Sequence, residues 1–342
     1  MLRDETVSIV LATYNGEKFL KDQLDSLVNQ ALLPYEVLVC DDNSTDNTLN
    51  ILEEFSKISQ VRFVILKNAS NLGPTQNFLK LTKMARGKFI ALCDQDDYWA
   101  PEKLRMCIDE MYSSGSWMVG HSVRLIDENS KDIGLWNQGI SFKNGTYFRN
   151  DPWRNFLGMS MVMDRRLVDL FDSRAAARLI APTSGINGLS HDQWFDFIAD
   201  SAGTVQALKS PLVLYRLHTK NFSGANADLA KRSVQLKIDV GFAPRPERKL
   251  ALAARQRSEL LALLAAGLER QLQAKLLTSS EKWRKLAYFE ERRTKIFTEK
   301  NFLKRVAVFF LLLRAGAYRG WSNAGVGSLV GLKDFAFCFF KM

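Results

Sequence analysis

Cysteine is scarce in this chain of 342 residues, with only Cys40, Cys93, Cys107 and Cys338, and they fall at no paired spacing. That fits reduced thiols in a reducing cytoplasm and does not resemble a zinc site. Cys40 and Cys93 close apolar strand-like runs, where a thiol acts as a small hydrophobe. No GxGxxG follows the first strand pattern, which disfavours a dinucleotide-binding dehydrogenase. The uninterrupted apolar run Val306 to Leu313 is far shorter than the roughly 20 residues that span a bilayer. Met1 to Thr6 is polar and leads straight into a strand pattern, so no signal peptide is expected there. Basic residues interleaved with stacking aromatics are also lacking, which argues against a nucleic-acid partner.

What remains is ordinary globular composition, 46% hydrophobic and 25% charged, in a chain long enough for a sizeable core and a second domain. The charge is unevenly placed. Residues 226–342 hold 23 Lys and Arg against 10 Asp and Glu, a balance of +13, so residues 1–225 hold 24 against 27, a balance of −3. We therefore expect a catalytic body over residues 1–225 and a basic, mostly helical region over 226–342 that meets an anionic partner.

The first half alternates apolar runs with helical patterns. Val7 to Ala12 reads as a central parallel strand and ends in the turn signal Thr13-Tyr14-Asn15-Gly16. A helical pattern follows through Phe19, Leu20, Leu24, Leu27 and Val28. A second strand, Tyr35 to Cys40, runs into Asp41-Asp42, with Ser44 and Thr45 as candidate caps of the next helix. A third strand spans Val61 to Leu66, and Asn71-Leu-Gly-Pro74 opens a helix bearing Phe78 and Leu81. The fourth strand, Phe89 to Cys93, breaks into Asp94, Asp96 and Asp97, after which Pro101 opens another helical pattern. Trp117 to Gly120 reads as a further strand, and Ser122 to Ile126 as a short strand-like piece.

Alternating strands and helices predict a doubly wound, mostly parallel α/β sheet, whose ligands bind outside the carboxyl ends of the strands. Thr13-Tyr14, Asp41-Asp42 and Asp94 to Asp97 all lie just after strands, so they are expected on one rim. Carboxylates packed this closely repel one another and stay ionised together only beside a cation or water. Oxygen ligands suit Mg²⁺ or Mn²⁺, which usually combines one or two carboxylates with substrate phosphates.

Downstream the pattern is less regular. Phe156 to Met163 is an apolar, Met-rich run that reads as a core strand or a pocket wall. His191-Asp192-Gln-Trp194 follows a Gly/Ser-rich loop, 183–190, and opens a helix; Asp192 is either its N-cap or a general base. Pro211 to His218 reads as a strand delivering Arg216 and His218 on one face into an Asn/Gly loop, 221–226. An Arg and a His there could grip phosphate or metal, or simply end an edge strand. Leu260, Leu264, Leu268, Leu272 and Leu276 recur every four residues, a helix-packing stripe. The segment Phe302 to Tyr318 places Phe302, Val306, Phe309, Phe310, Leu313 and Ala317 on one side, flanked by Lys304, Arg305, Arg314 and Arg319. Such a helix can lie in a headgroup layer, and the aromatics of Phe335 to Phe340 suit the same layer; the alternative is a face packed against the first domain.

Taken together, VSIVLATYNG at 7–16, VLVCDDNSTDNT at 37–48, NLGPTQNF at 71–78, CDQDDYWAPEKL at 93–104, HDQW at 191–194 and YRLHTKNFSG at 215–224 resemble family 2 glycosyltransferases. More narrowly, they resemble the bacterial rhamnosyltransferase-like members that build O-antigen and other surface polysaccharides. The resemblance implies a GT-A nucleotide-diphospho-sugar transferase fold with a C-terminal helical extension. It implies that Ala12, Thr13 and Tyr14 line a nucleotide pocket, and that Asp42, with Asp41, holds base or ribose. Asp94 and Asp96 become the DxD pair, with Asp96 the direct ligand of Mg²⁺ or Mn²⁺ and Asp94 touching ribose or metal. Asp192 falls where the family carries its catalytic base, preceded here by His191 where Glu is frequent. Arg216 and His218 would face the diphosphate, with His218 also a candidate metal ligand. The implied partners are a nucleotide-diphospho-sugar donor such as dTDP-rhamnose, a lipid-linked glycan acceptor and an anionic membrane surface. That places the protein in the cytoplasm, peripheral on the inner face of the plasma membrane. A phosphohydrolase or phosphotransferase with a nucleophilic aspartate and a non-catalytic sugar-nucleotide-binding protein are the competing classes.

Overall fold

The structure, a computed structural model, describes residues 4–143, 146–147, 149, 151–170, 189–219, 247–321 and 324–340. The expected boundary at 225/226, the Asn/Gly loop 221–226 and most of the Gly/Ser-rich loop, 183–188, lie outside the described residues. The chain divides into two units. The first takes in residues up to Ile140, Asn155–Phe171 and Leu189–Arg232; the second takes in Ser141–Arg154, Asp172–Gly188 and the chain from Ser233 on.

The first unit is built on β1 (Val7–Thr13), α1 (Leu20–Val28), β2 (Glu36–Asp41), α2 (Thr48–Ile58), β3 (Phe63–Lys67), α3 (Pro74–Met84) and β4 (Phe89–Cys93). Strands β1, β2 and β3 are parallel neighbours, and β4 lies parallel to the other side of β1. Every residue of β2 and β4 is buried, and all of β1 except Ala12. This is why these runs are continuously apolar: helices cover both faces, so neither side chain set meets water. Leu20, Leu24 and Leu27 of α1 pack on Val7, Ile9, Leu11 and Val37 in one core.

After β4 the connections change character. The two-residue strand β5 (Tyr98–Trp99) precedes α4 (Lys103–Ser114), which stops at Gly115 with the left-handed φ of 68° that ends many helices. Next come β6 (Met118–Ile126) and β7 (Asp132–Trp136), then β10 (Met161–Asp164), α5 (Arg166–Asp169), α6 (His191–Ala202) and β11 (Val205–Arg216). The sheet runs β3-β2-β1-β4-β10-β6-β11-β5, with β7 on β6. Strand β10 is antiparallel to both β4 and β6, whereas β11 is parallel to β6 and antiparallel to β5. The pieces read as separate at Trp117 to Gly120 and Ser122 to Ile126 are one strand, because His121 between them is itself fully buried. The Met-rich run proves to be core: Met161, Val162 and Met163 are 0% exposed.

Among the described residues the second unit holds the small hairpin β8 (Phe142–Lys143) and β9 (Thr146–Tyr147) and four helices: α7 (Glu247–Ala265), α8 (Arg270–Thr298), α9 (Phe302–Arg314) and α10 (Ser328–Phe340). The leucine stripe does not lie on one helix. Gly267, at φ 82°, turns the chain between α7 and α8, and the two helices run back along each other with the Ser258 and Ser280 side chains bonded at the contact. Phe309 and Leu312 of α9 pack inward with Phe289, Ile296 and Cys338, whereas Phe302, Phe310 and Leu313 are exposed, so the residues that the spacing set on one side divide between a buried and an exposed face. All four cysteines are free thiols and buried.

Candidate active site

The site forms where parallel strands end together. Thr13, the last residue of β1, lies opposite Asp41, the last of β2, and Cys93 of β4 lies opposite Leu11. The residues after these strands must therefore emerge on one rim.

Asp41 and Asp42 are buried and strongly engaged. Asp41 accepts from the Ser44 amide at 2.9 Å and hydroxyl at 2.5 Å, and from the Thr13 hydroxyl at 3.3 Å. Ser44 is therefore spent on Asp41, and Asn47 occupies the N-cap position of α2 with no capping side chain. Asp42 accepts from Asn68 Nδ2 at 2.8 Å and from the amides of Leu72 and Gly73 at 2.9 and 2.8 Å. It thereby folds the loop that leads into α3, where Gly73 takes a φ of 78° and Pro74 sits at the helix start. Sequence reasoning missed Asn68, since nothing marks a lone Asn at a strand end.

At the tip of β1 Tyr14 is 47% exposed, and its backbone is held by the side chain of Gln95. The Tyr14 amide donates to Gln95 Oε1 at 2.8 Å, and Gln95 Nε2 donates to the Tyr14 carbonyl at 3.0 Å. Gly16 makes room for this: a Cβ there would lie 2.2 Å from Gln95 Oε1.

The acidic stretch after β4 is tied to β11. Pairing of Tyr98 with Leu214 brings Arg216 beside Asp96 and Asp97. The Arg216 amide donates to Asp97 Oδ1 at 3.0 Å, and its guanidinium donates to the Asp96 carbonyl at 3.0 Å and the Ser130 hydroxyl at 2.8 Å. The guanidinium also sits 4.6 Å over the Phe19 ring. Arg216 is thus a buried strut of the acidic loop. His218 Nε2 lies 2.8 Å from Asp96 Oδ2, and the His218 ring packs against Phe19 with centroids 5.1 Å apart and planes tilted by 39°. Beneath the loop, fully buried Lys103 donates to the Met159 carbonyl at 2.6 Å and lies 3.0 Å from the Trp99 ring centre. Burial pushes its amine down to about 7, against the opposing pull of nearby groups that include Asp97 and Asp94. A lysine at the start of a helix gives no hint of such burial.

Asp192 lies in the first turn of α6. It is not the cap: Ser190 is, in a reciprocal capping box with Gln193. The Asp192 carboxylate accepts from the Gln193 amide at 2.9 Å, from the Ser190 hydroxyl and, on Oδ2, from Asn155 Nδ2 at 3.2 Å. His191 stacks on Phe78 at 4.1 Å, its Nδ1 buried without a hydrogen-bond partner, and burial lowers its basicity. Asp192 reaches the acidic loop electrostatically. Burial first, then the charges of Asp96 and Asp192, push Asp94 up to about 7. Asp97, buried with Oδ2 unpartnered, is also raised, by burial and by Asp96 and Asp94. Acids from two segments about a hundred residues apart therefore feel one another.

Among the described residues no three His, Cys, Asp or Glu side chains gather closely enough to hold a metal ion by themselves. Asp96 and His218, 2.8 Å apart, with Asp94 close enough to feel the Asp96 charge, would hold a divalent cation only if a substrate's phosphates completed the set.

Residues 8–171 match the family described as glycosyl transferase family 2. The chain is 36% identical over 128 residues to the Escherichia coli UDP-Glc:alpha-D-GlcNAc-diphosphoundecaprenol beta-1,3-glucosyltransferase WfgD, covering 37% of this chain and 49% of that protein. It is 38% identical over 103 residues to the Shigella flexneri dTDP-rhamnosyl transferase RfbG, covering 29% and 36%. The chain thus spans about half or less of the length of these relatives. Among solved structures, S. aureus TarS 1-349 in complex with UDP-GlcNAc superposes with a TM-score of 0.51 at 18% identity, over 84% of this chain and 87% of that one. That likeness shows the GT-A fold. The match to glycosyl transferase family 2 thus spans residues 8–171, just under half of the chain, and takes in β1 to β4 and the acidic loop after them.

Proposed function

We propose that the protein transfers a sugar from a nucleotide-diphospho-sugar to a hydroxyl of a growing, lipid-linked surface glycan, with inversion at the anomeric carbon. The observation that carries this reading is that carboxylates from separate segments gather where the parallel strands end: Asp96 lies 2.8 Å from His218, and Asp94 is raised to about 7 by burial first and then by the charges of Asp96 and Asp192. Ala12, Thr13 and Tyr14, with Asp41 and Asp42 below them, form the nucleotide end. Asp94, Asp96 and His218 form the diphosphate end and hold Mg²⁺ or Mn²⁺, which supplies charge to offset the negative charge growing on the leaving diphosphate. Arg216 adds positive potential there while fixing the acidic loop through the Asp96 carbonyl.

Asp192 takes the proton of the attacking hydroxyl. Hydrogen bonds from the Gln193 amide and from Asn155 fix the carboxylate's orientation, so a free lone pair can be aimed at the acceptor. One base and in-line attack predict inversion. RfbG's name makes dTDP-rhamnose the first donor to try, and WfgD's makes UDP-glucose the second. A lipid-linked acceptor would place the protein at the inner face of the plasma membrane, with residues 1–225 catalytic and the basic remainder on the lipid side.

The test is nucleoside-diphosphate release from a panel of sugar nucleotides with Mn²⁺ or Mg²⁺. Release from one donor, lost on chelation and in Asp96→Ala, is expected. No release from any donor, or release of inorganic phosphate through a covalent aspartyl-phosphate, overturns the reading.

A further inference from the structure

No helix among the described residues is long and apolar enough to cross a membrane, yet two helices of the second unit turn apolar side chains outward. On α9, Leu303 is 74% and Leu311 59% exposed, and Phe302, Phe310 and Leu313 are each about half exposed. On α10, Leu332 is 66% exposed, and Phe335 and Phe339 are also exposed. The two rows meet in one patch: the Phe335 and Phe339 rings lie 4.6 Å apart, and Phe302 lies 6.1 Å from Phe339. Large contiguous apolar patches on a soluble surface mark a contact site.

The patch is rigidly mounted. Arg293 of α8 grips Asp334 of α10 at 2.7 and 3.0 Å and Glu290 at 2.6 Å, and the Tyr318 hydroxyl donates to the same Asp334 at 3.0 Å. All four are buried, so α10 is pinned on α8 with its outer face fixed. The surrounding charge is of one sign. Residues 300–342 carry seven Lys and Arg (300, 304, 305, 314, 319, 333, 341) and a single acid, Asp334, which is the buried partner of Arg293. Lys304 and Arg314 bracket α9 and are exposed.

We propose that the joint outer face of α9 and α10 seats in the headgroup layer of an anionic bilayer, aromatics and leucines inserted and Lys304 and Arg314 on lipid phosphates. Charge decides between occupants. A second copy laid face to face would set these cations against their like with no exposed acid in this segment to answer them, whereas an anionic headgroup supplies the missing sign. The proposal rests on the glycosyl-transfer reading only in giving a lipid-borne acceptor a place to be met; it is tested without turnover.

The full chain is floated with vesicles of phosphatidylglycerol and phosphatidylethanolamine, and with phosphatidylcholine alone. It should float with the first, far less with the second, and less as salt rises. Phe310→Glu/Leu311→Glu should lower partition at least about tenfold, and Lys304→Glu/Arg314→Glu should act in the same direction. Both pairs are exposed, so circular dichroism and nucleoside-diphosphate release stay unchanged, which separates this test from that of the enzymatic reading. The proposal is overturned if the wild type stays unfloated with anionic vesicles, or if the first double variant floats as well as wild type. It is equally overturned by a lipid-free dimer in sedimentation that the same variant dissociates, which assigns the face to a second copy.

Discussion

Gln95 and Tyr14, 81 residues apart, are joined as two strands are joined: the side-chain amide of one accepts from the backbone amide and donates to the carbonyl of the other, at 2.8 and 3.0 Å. The middle residue of the acidic motif therefore sets the position of the loop at the tip of β1. Gln95→Ala should leave the fold intact, at a stability loss of about 1–2 kcal/mol, and weaken nucleotide binding several-fold by freeing that loop. Gly16→Ala drives a Cβ to 2.2 Å from Gln95 Oε1, so the amide must move. Titration calorimetry with nucleoside diphosphates measures both; unchanged affinity in both variants contradicts the positioning role.

Asn155 offers a second way to disturb the site without removing a carboxylate. Its Nδ2 donates to Asp192 Oδ2 at 3.2 Å and to the Phe156 carbonyl at 2.7 Å. Asn155→Ala should lower kcat about tenfold with little change in donor KM. A rise in KM alone would make Asn155 a binding residue.

The parts of this molecule that were legible in its sequence are those where one physical demand acts alone. Strands β1, β2 and β4 are apolar throughout because they are covered on both faces, and Asp42, Asp94 and Asp96 follow them at the one edge where such a sheet binds ligands. The antiparallel insertion of β10 between β4 and β6 was not legible, since a short apolar run carries no sign of its direction. Arg216 and Lys103 were readable as charges but not as buried ones: their partners are backbone carbonyls of Asp96 and Met159, which no side-chain pattern reveals. The division of the apolar residues over Phe302 to Tyr318 was not legible either: Phe309 and Ala317 are buried with residues of α8 and α10 while Phe302, Phe310 and Leu313 are exposed, and spacing along one helix does not show which neighbours cover it.

His121 predicts an acid limb in stability. It is fully buried in β6, its Nδ1 donating to the Ser122 carbonyl at 2.8 Å and its Nε2 without a partner. Burial, and then the Lys103 ammonium, holds it down to about 3. The unfolded chain binds this proton near about pH 6.5, while the folded one refuses it. The contribution is therefore complete above about pH 6.5 and is lost as pH falls toward about 3, at up to about 1.4 kcal/mol per pH unit. Carboxylates such as Asp94 titrate in the opposite sense, so the comparison is made against His121→Gln. Wild type should lose more Tm between pH 7 and pH 5 than the variant does; equal losses contradict the assignment.

The account stands on acids from separate segments forming one catalytic centre with Asp192 as its base. The direct measurement is sugar transfer, read as nucleoside-diphosphate release with acceptor present, by Asp192→Asn beside wild type at matched donor saturation. The account predicts unchanged nucleotide affinity and a fall in turnover of about 10²–10⁴-fold. Turnover within a few-fold of wild type would contradict it.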